Sequence, residues 1–494
     1  MKSKILYLVA FVALALVSCN DYLNVKPTTE VDRDELFKSE EGYADALSGV
    51  YGDMTSTSLY GRNLTWYCMD LFAGYYKSPY YSMNNNYSQY LYKHSNQNRN
   101  ETVIATIDAF WSKMYTEIAN LNSIIGTIDA NKNYFTGNNY SVVKGEALGL
   151  RAFLHFDLLR MFGQPYSIGK DSLSIPYVNS LTTKVTKLNA VDSVLTHIIT
   201  DLKEAKILMN NDPMKLSTSP ATALASLPSG SYTSYNIPAW HNRRFHFNYY
   251  AVVATLARAY LWKGDKANAL AQAQEIIGVQ GDKFPWVSNG NLTVIGTDAV
   301  NQDRTFATEQ IFAMNIRKAT FEDNMDGYLY FKSTALSSSM NVLNGDKSIF
   351  ENYTTDPRYQ YLLTLNSKKY LLSKFYQNTS VGSFFQERLP LIRMSEMYYI
   401  AAECAPDVAT GVGYLNTVRA NRGLSTKPLS TTISQRELAN EIMKEYRKEF
   451  FGEGQMWFYY KRTLSKSIPN MGNFSNISLY TFDRPSDEDL YGGR

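Results

Sequence analysis

The chain has 494 residues, of which 45% are hydrophobic, 19% charged and 14% aromatic, with 38 tyrosines among them. That composition excludes a disordered polyelectrolyte, and the length suffices for one large domain or about three ordinary ones whose cores need no disulfide scaffold. Net charge is +3, and about +1 once Lys2 and Lys4 are set aside, which excludes the basic footprint of a nucleic-acid binder.

Residues 1–19 read MKSKILYLVAFVALALVSC. Lys2 and Lys4 precede an apolar run from Ile5 to Val17, the order of an export signal and short for a membrane span. The run closes on Leu16-Val17-Ser18-Cys19, which resembles a bacterial lipobox. Residues 1–18 are then a cleaved signal peptide and Cys19 the lipidated N-terminus, with multiple acyl chains as anchor. The competing reading is an ordinary secretory leader with an incidental cysteine. No other stretch approaches the ~20 consecutive apolar residues of a transmembrane helix, so membrane contact is expected through lipid alone. Cys68 and Cys404 match neither a zinc nor a redox motif and are expected as buried free thiols.

After a polar linker (Asn20 to Glu30), Leu36, Phe37, Tyr43, Leu47, Val50 and Tyr51 recur at three- and four-residue steps and predict a helix over about 34–54. The same spacing predicts helices at Val103–Ile128 and Val142–Phe162, expected as an antiparallel pair, with Gly163 and Pro165 as the stop. Val191–Met209 repeats the pattern, and 214–245 reads as a Ser/Pro/Ala-rich loop. Asn248–Ile277 has small Ala254 and Ala257, a Gly264-Asp265 turn, then Ala269 and Ala273, the helix–turn–helix pattern of a tetratricopeptide repeat. One such pair cannot bury its own apolar face, so the pairs at 103–162 and 388–423 are expected to stack on it. The last helix, near Gln435–Phe451, opens with a capping box at Ser434 and Glu437. Two long irregular regions, 55–100 and 280–388, separate these blocks, with short strands expected at Thr305–Asn315 and Lys369–Phe375. The fold class is thus mainly α, a helix-pair scaffold with a loop-rich lobe carrying a few strands.

Motifs of bond chemistry are missing: the sequence contains no GxSxG, HExxH, CxxC or Walker-type loop. His241 and His246 stand five apart and would not share a helix face as a metal pair. Glu396 and Glu403, seven apart beside Arg393, are the best paired carboxylates for a glycosidase, although structural ion pairs explain them better. Arg151 with Glu146 and Arg447 with Glu449 carry the same ion-pair reading. The sequence implies no catalytic residue, no metal ligand and no cofactor, and leaves a structural Ca²⁺ open.

Residues 60–92 depart most from background. Eleven of these 33 positions are aromatic, against 14% overall, with only Arg62, Asp70 and Lys77 charged. A ring covers the C–H face of a sugar, while hydroxyls and amides bond its hydroxyls. Tyr60, Trp66, Tyr75, Tyr76, Tyr81 and Trp286 are therefore the candidate stacking residues, with Arg62, Asn63, Asp70 and Asn84 for the hydroxyls. Trp240, Tyr328 and Tyr330 could line the same site. The alternative is that these rings pack the loop onto the helices.

Several segments together carry a family resemblance. Cys19-Asn20-Asp21-Tyr22-Leu23 is followed by Leu150-Arg151-Ala152-Phe153, Phe156-Asp157-Leu158, the repeat at 248–277, Leu391-Ile392-Arg393-Met394-Ser395-Glu396, Val418-Arg419, Arg422-Gly423, Arg447, Glu449 and Glu453-Gly454. In this order behind a lipobox the chain resembles the SusD/RagB family of Bacteroidetes outer-membrane lipoproteins. The resemblance implies four repeat-like helix pairs and a ligand-holding lobe of inserted loops, with an N-terminal part over about 20–215 and a C-terminal part over about 246–494. It further implies a surface-exposed protein that captures an oligosaccharide for a SusC-like TonB-dependent transporter without bond chemistry. Some relatives are associated with peptide uptake, which is the alternative. Two departures stand out: the short turn Cys404–Ala409, and Gln455 where many members carry Arg.

Overall fold

The computed structural model describes residues 33–77, 101–216, 243–292, 302–316, 347–366, 369–376, 383–469 and 477–491, with short pieces at 321, 324–325, 341–342 and 472–473. Cys19 and the lipobox lie outside the described residues.

Local sequence accounts for the helix ends. The Ser39 hydroxyl accepts from Gly42 N at 3.1 Å and starts α1 (Glu40–Met54), with Glu40 and Glu41 in the positive first turn. α2 (Glu101–Ile128) buries Val103, Ile107, Phe110, Trp111, Met114, Ile118 and Leu121 along one stripe. α3 (Asn139–Phe162) is buried on nearly every face and forms the middle of the scaffold. α4 spans Val191–Leu208. Asn248 caps α5 (Tyr249–Lys263), and Gly264, at φ +81°, supplies the left-handed residue that ends it. Asp265 then caps α6 (Lys266–Ile277). α7 (Met394–Cys404) and α8 (Val408–Arg419) are joined by only Ala405–Asp407, and Asp407 caps α8 through Thr410 N at 2.8 Å. The short turn therefore leaves the helix pair intact. The capping box of α9 (Gln435–Glu449) is formed on Ser434 and Glu437, and α10 covers Met456–Arg462.

Each of the first eight helices packs on the next, giving four successive pairs, α1/α2 to α7/α8. The expected pairing of 103–128 with 142–162 is present as α2 on α3, a more extensive contact than that of α2 on α1. α3 packs more extensively on α4, across the connection 163–190. Sequence spacing identifies each helix but not this further contact of α3 with α4, because α3 offers apolar side chains on all sides. Residues 388–393 also differ from expectation: they form a strand that runs straight into α7.

The irregular regions contribute the strands. β1 is Tyr76–Lys77, β2 Gln310–Asn315, β3 Asn341–Val342, β4 Leu363–Asn366, β5 Lys369–Leu372 and β6 Arg388–Arg393. β2 pairs antiparallel with β6, from Gln310 opposite Arg393 to Asn315 opposite Arg388, and β6 is buried along its whole length. The other strands form a four-stranded sheet in the order β1-β3-β5-β4.

A buried ionic network holds this loop lobe on the scaffold. Glu449, at the end of α9, accepts from Arg358 Nη1 at 2.8 Å, Arg393 Nη1 at 2.5 Å and Arg422 Nη2 at 2.7 Å. Arg422 also grips Glu309, and Glu445 takes Arg358, Arg419 and Lys448. Arg393 and Lys374 share Glu453. Segments around 309, 358 and 374 are thereby fixed to the ends of α8 and α9. Arg393, Arg419, Arg422, Glu449 and Glu453, which carry the sequence resemblance, are all members of this network.

A second cluster joins α1, α3 and the approach to α5. Burial alone would raise the Glu146 carboxyl, but Arg243, His246 and the Tyr51 hydroxyl outweigh it and hold it at about 2. Glu445 is held at about 2 by Arg358, Lys448 and Arg419 against the same desolvation. Burial pushes His155 down to about 3, against the hydrogen bond of Nδ1 with Arg151 O, and its Nε2 accepts from Val178 N. The carboxylates lie below their ordinary 4.5, so their contribution is complete above that value and is lost as pH falls toward 2. The unfolded chain protonates histidine first, so His155 makes stability fall as pH drops from 6.5 toward 3. Urea midpoints measured across this range should decline in two stages, and His155→Gln should flatten the upper one; a wild-type profile level from pH 6.5 to 4.5 would contradict this.

Candidate ligand site

The segment leading to the aromatic-rich stretch is a run of turns over 55–67, a short helix Cys68–Phe72 and then β1. Six of the sequence-nominated side chains in it point inward. Trp66 and Asp70 are 0% exposed, Tyr75 1%, Tyr60 3%, Asn63 6% and Tyr76 7%. The three tyrosine hydroxyls are used internally. The Tyr60 hydroxyl donates to Asp157 Oδ2 at 2.7 Å, that of Tyr75 to Arg447 O at 2.9 Å, and that of Tyr76 to Trp66 O at 2.6 Å. Arg62 Nε donates to Asn63 Oδ1 at 3.1 Å, and its guanidinium lies 5.5 Å from the Tyr67 ring centre. These rings pack the loop onto the helices and leave no open face for a sugar. Arg62 alone among the nominated residues of 60–76 is half-buried rather than buried.

Asp70 shows why the segment is fixed. Its carboxylate accepts from Gly452 N at 2.5 Å and Gly454 N at 3.0 Å, in a backbone nest made by two glycines at φ +82° and +69°. Asp70 is therefore an internal anchor rather than a ligand for sugar hydroxyls. The two glycines flanking Glu453 were the sequence signal for this nest. A Cβ on residue 454 would collide with Leu64 O. Gly454→Ala should thus cost more than about 1 kcal/mol in urea unfolding; an unchanged midpoint would show that the loop adjusts freely.

Trp286 is half-buried, with its ring 5.2 Å from that of Tyr398 and 5.3 Å from the Arg422 guanidinium, so it sits on α7 and the ionic network and not with residues 60–77. Tyr81, Asn84, Trp240, Tyr328 and Tyr330 lie outside the described residues. What the structure does settle is the frame. Lys77 pairs with Asn341, so the described ends that flank 78–100 and 326–340 are neighbours at one end of the four-stranded sheet.

The paired carboxylates are also accounted for. Glu396 is held by Arg258 Nε and Nη2 at 2.6 and 2.5 Å, and Glu403 by Arg462 Nη1 and Nη2 at 2.6 and 2.7 Å. Burial would raise Glu403, but Arg462 outweighs it and lowers it, opposite to what a general acid needs. The other expected ion pairs are present with different partners: Arg151 binds Asp201 at 2.7 Å, Glu146 binds Arg243, and Glu449 binds three other arginines rather than Arg447. Cys68 and Cys404 are buried, and neither forms a disulfide among the described residues. Gln455, where the resemblance expects Arg, accepts from Arg160 Nη1 at 3.2 Å. Among the described residues, no group of three or more His, Cys, Asp and Glu is placed to hold a metal ion, and no helix is long and apolar enough to cross a membrane.

Residues 21–229 match the SusD-like family described as "Starch-binding associating with outer membrane", and residues 308–488 match the SusD family itself. The chain belongs to the SusD family. SusD-like protein P2 of Formosa agariphila is 24% identical, over 93% of this chain and 90% of that protein. A SusD superfamily protein from Bacteroides thetaiotaomicron has the same fold, with a TM-score of 0.70 at 21% identity over 92% of this chain and 98% of its own. A putative sugar binding protein from Bacteroides vulgatus gives 0.67 at 22% identity, over 92% and 97%. The four helix pairs and the lobe of short strands are therefore the SusD architecture.

Proposed function

We propose that this SusD-family chain is a lipid-anchored, cell-surface protein of the outer membrane that captures an oligosaccharide and passes it to a SusC-like TonB-dependent transporter, without bond chemistry. One observation carries the reading. The nominated rings of 60–76 are buried against the scaffold, and β1 leads from them into a 23-residue segment, 78–100, of distinctive chemistry. It holds Tyr80, Tyr81, Tyr87, Tyr90 and Tyr92, six asparagines and two glutamines, and no Asp or Glu. Rings to cover sugar faces and amides to bond hydroxyls are what an uncharged glycan needs. The neighbouring end at Asn341 closes 326–340, which contains Tyr328 and Tyr330. A family described as starch-binding and a putative sugar binding protein of the same fold from Bacteroides vulgatus support the same ligand class.

Within this reading, Tyr81 stacks on the sugar and Asn84 bonds its hydroxyls, and Cys19 carries the lipid. Calorimetry with an oligosaccharide that binds the protein lacking residues 1–18 should show Tyr81→Ala weakening affinity about tenfold, ~1.4 kcal/mol. Unchanged affinity in both Tyr81→Ala and Asn84→Ala would place the site elsewhere. Competition by a peptide digest, with no effect of sugars, would instead favour peptide uptake. Product release abolished by Glu396→Gln or Glu403→Gln would make the protein a glycosidase, against the bidentate arginine pairs that occupy both carboxylates.

A further inference from the structure

The turn that follows α9 faces two ways. Through its side chain, Glu453 accepts from Arg393 Nε at 2.9 Å and takes Lys374 as a second cation, so this residue belongs to the buried ionic network. Through the main chain on either side of it, Gly452 N and Gly454 N donate to the Asp70 carboxyl oxygens. Asp70 carries the tie onward. Its own carbonyl oxygen accepts from Tyr75 N at 3.0 Å, and Tyr75 is the residue immediately before β1. The Tyr75 hydroxyl returns to Arg447 O in the last turn of α9. A continuous path of bonds thus runs from Arg393 and Lys374 through Glu453, the glycine nest and Asp70 to the start of β1.

β1 needs such a tie. It has two residues, Tyr76 and Lys77, paired with the two of β3, and β3 meets β5 at Asn341 opposite Leu371. Pairing this short is marginal by itself. The same turn also touches the end of β5: a Cβ on residue 452 would lie 3.1 Å from Phe375 and 3.2 Å from Leu372. Asp70 is wholly buried, so bulk water cannot replace it as the acceptor for the two glycines.

We propose that Asp70 is a positioning residue of the ligand lobe: through it the ionic network sets the place of β1 and β3, and with them the sheet end that flanks 78–100. For its purpose the proposal rests on the reading of 78–100 as the ligand segment; for its geometry it rests on the bonds alone.

Hydrogen–deuterium exchange of the protein lacking residues 1–18, followed below the unfolding midpoint of each variant, tests this without any ligand. Asp70→Asn keeps one acceptor and leaves one glycine N–H with none, a buried loss that should quicken exchange at Tyr76-Lys77 and Asn341-Val342 about tenfold. Glu453→Gln leaves Asp70 and both of its donors in place, and should quicken exchange at the same two places because the turn loses its hold on Arg393 and Lys374. Glu146→Gln is the control: it breaks a buried pair with Arg243 in the other cluster and should leave β1 and β3 as in the wild type. Exchange unchanged in Asp70→Asn, or quickened equally by Glu146→Gln, would overturn the positioning role, and quickening by Asp70→Asn alone would overturn the link to the network. A wild type that binds no glycan would overturn the reading of 78–100 and leave these results standing.

Discussion

Glu449→Gln should cost about 3–5 kcal/mol of folding stability, because it removes one member of a buried charge network and strands its partners. Glu449 is fully desolvated, and burial alone would raise its carboxyl; Arg422, Arg393 and Arg358 outweigh that and keep it well below the usual range. Each of these arginines comes from a different part of the chain: Arg358 from the loop lobe, Arg393 from the end of β6, and Arg422 from just beyond α8. With a neutral amide at 449, three guanidiniums lose their shared counter-charge in a place that water does not reach. The partly exposed pair of Lys444 and Glu441 is the control, since Lys444 is 40% exposed and keeps Glu351 as a second partner, so losing the pair should cost about 1 kcal/mol or less. Urea unfolding of Glu449→Gln beside Glu441→Gln measures the difference. Equal losses would mean that the network does not hold the lobe to the scaffold.

Trp66→Ala should cost a similar amount, about 3–5 kcal/mol, through the cavity left by a buried indole. Trp66 is wholly inaccessible, and its carbonyl and ring neighbours, Tyr76 and Tyr67, belong to the same packed turn. The effect belongs to stability and not to recognition. At a temperature where the variant remains folded, its affinity for an oligosaccharide should match that of the wild type, while Tyr81→Ala shows the reverse pattern. A Trp66→Ala variant with native stability and lost binding would return the stacking role to this ring.

The scaffold was legible because its signals are local. Asn248, Gly264 and Asp265 each act within one turn of their own helix, and the box at Ser434 and Glu437 closes on itself. The packing of α3 on α4 was not legible, since α3 is apolar on all faces and packs on both α2 and α4. The aromatic segment misled for a related reason. A ring that stacks on a sugar and a ring that packs a core have the same composition. The run Leu64-Thr65-Trp66-Tyr67-Cys68-Met69 and Leu71-Phe72-Ala73 is nearly continuous in apolar side chains, which marks a buried segment. The polar and amide-rich character begins only after Lys77. Asp70 was ambiguous for want of its partner, because the two glycines that bind it lie more than 380 residues away.

The most direct measurement of the central claim is a glycan-array binding assay on the protein lacking residues 1–18, with calorimetry and a product check on whatever binds. Saturable binding of an oligosaccharide that is recovered uncleaved is expected, with affinity lowered by Tyr81→Ala and retained in folded Trp66→Ala. Cleaved product, or silence across the array together with saturable binding of peptides, would contradict it.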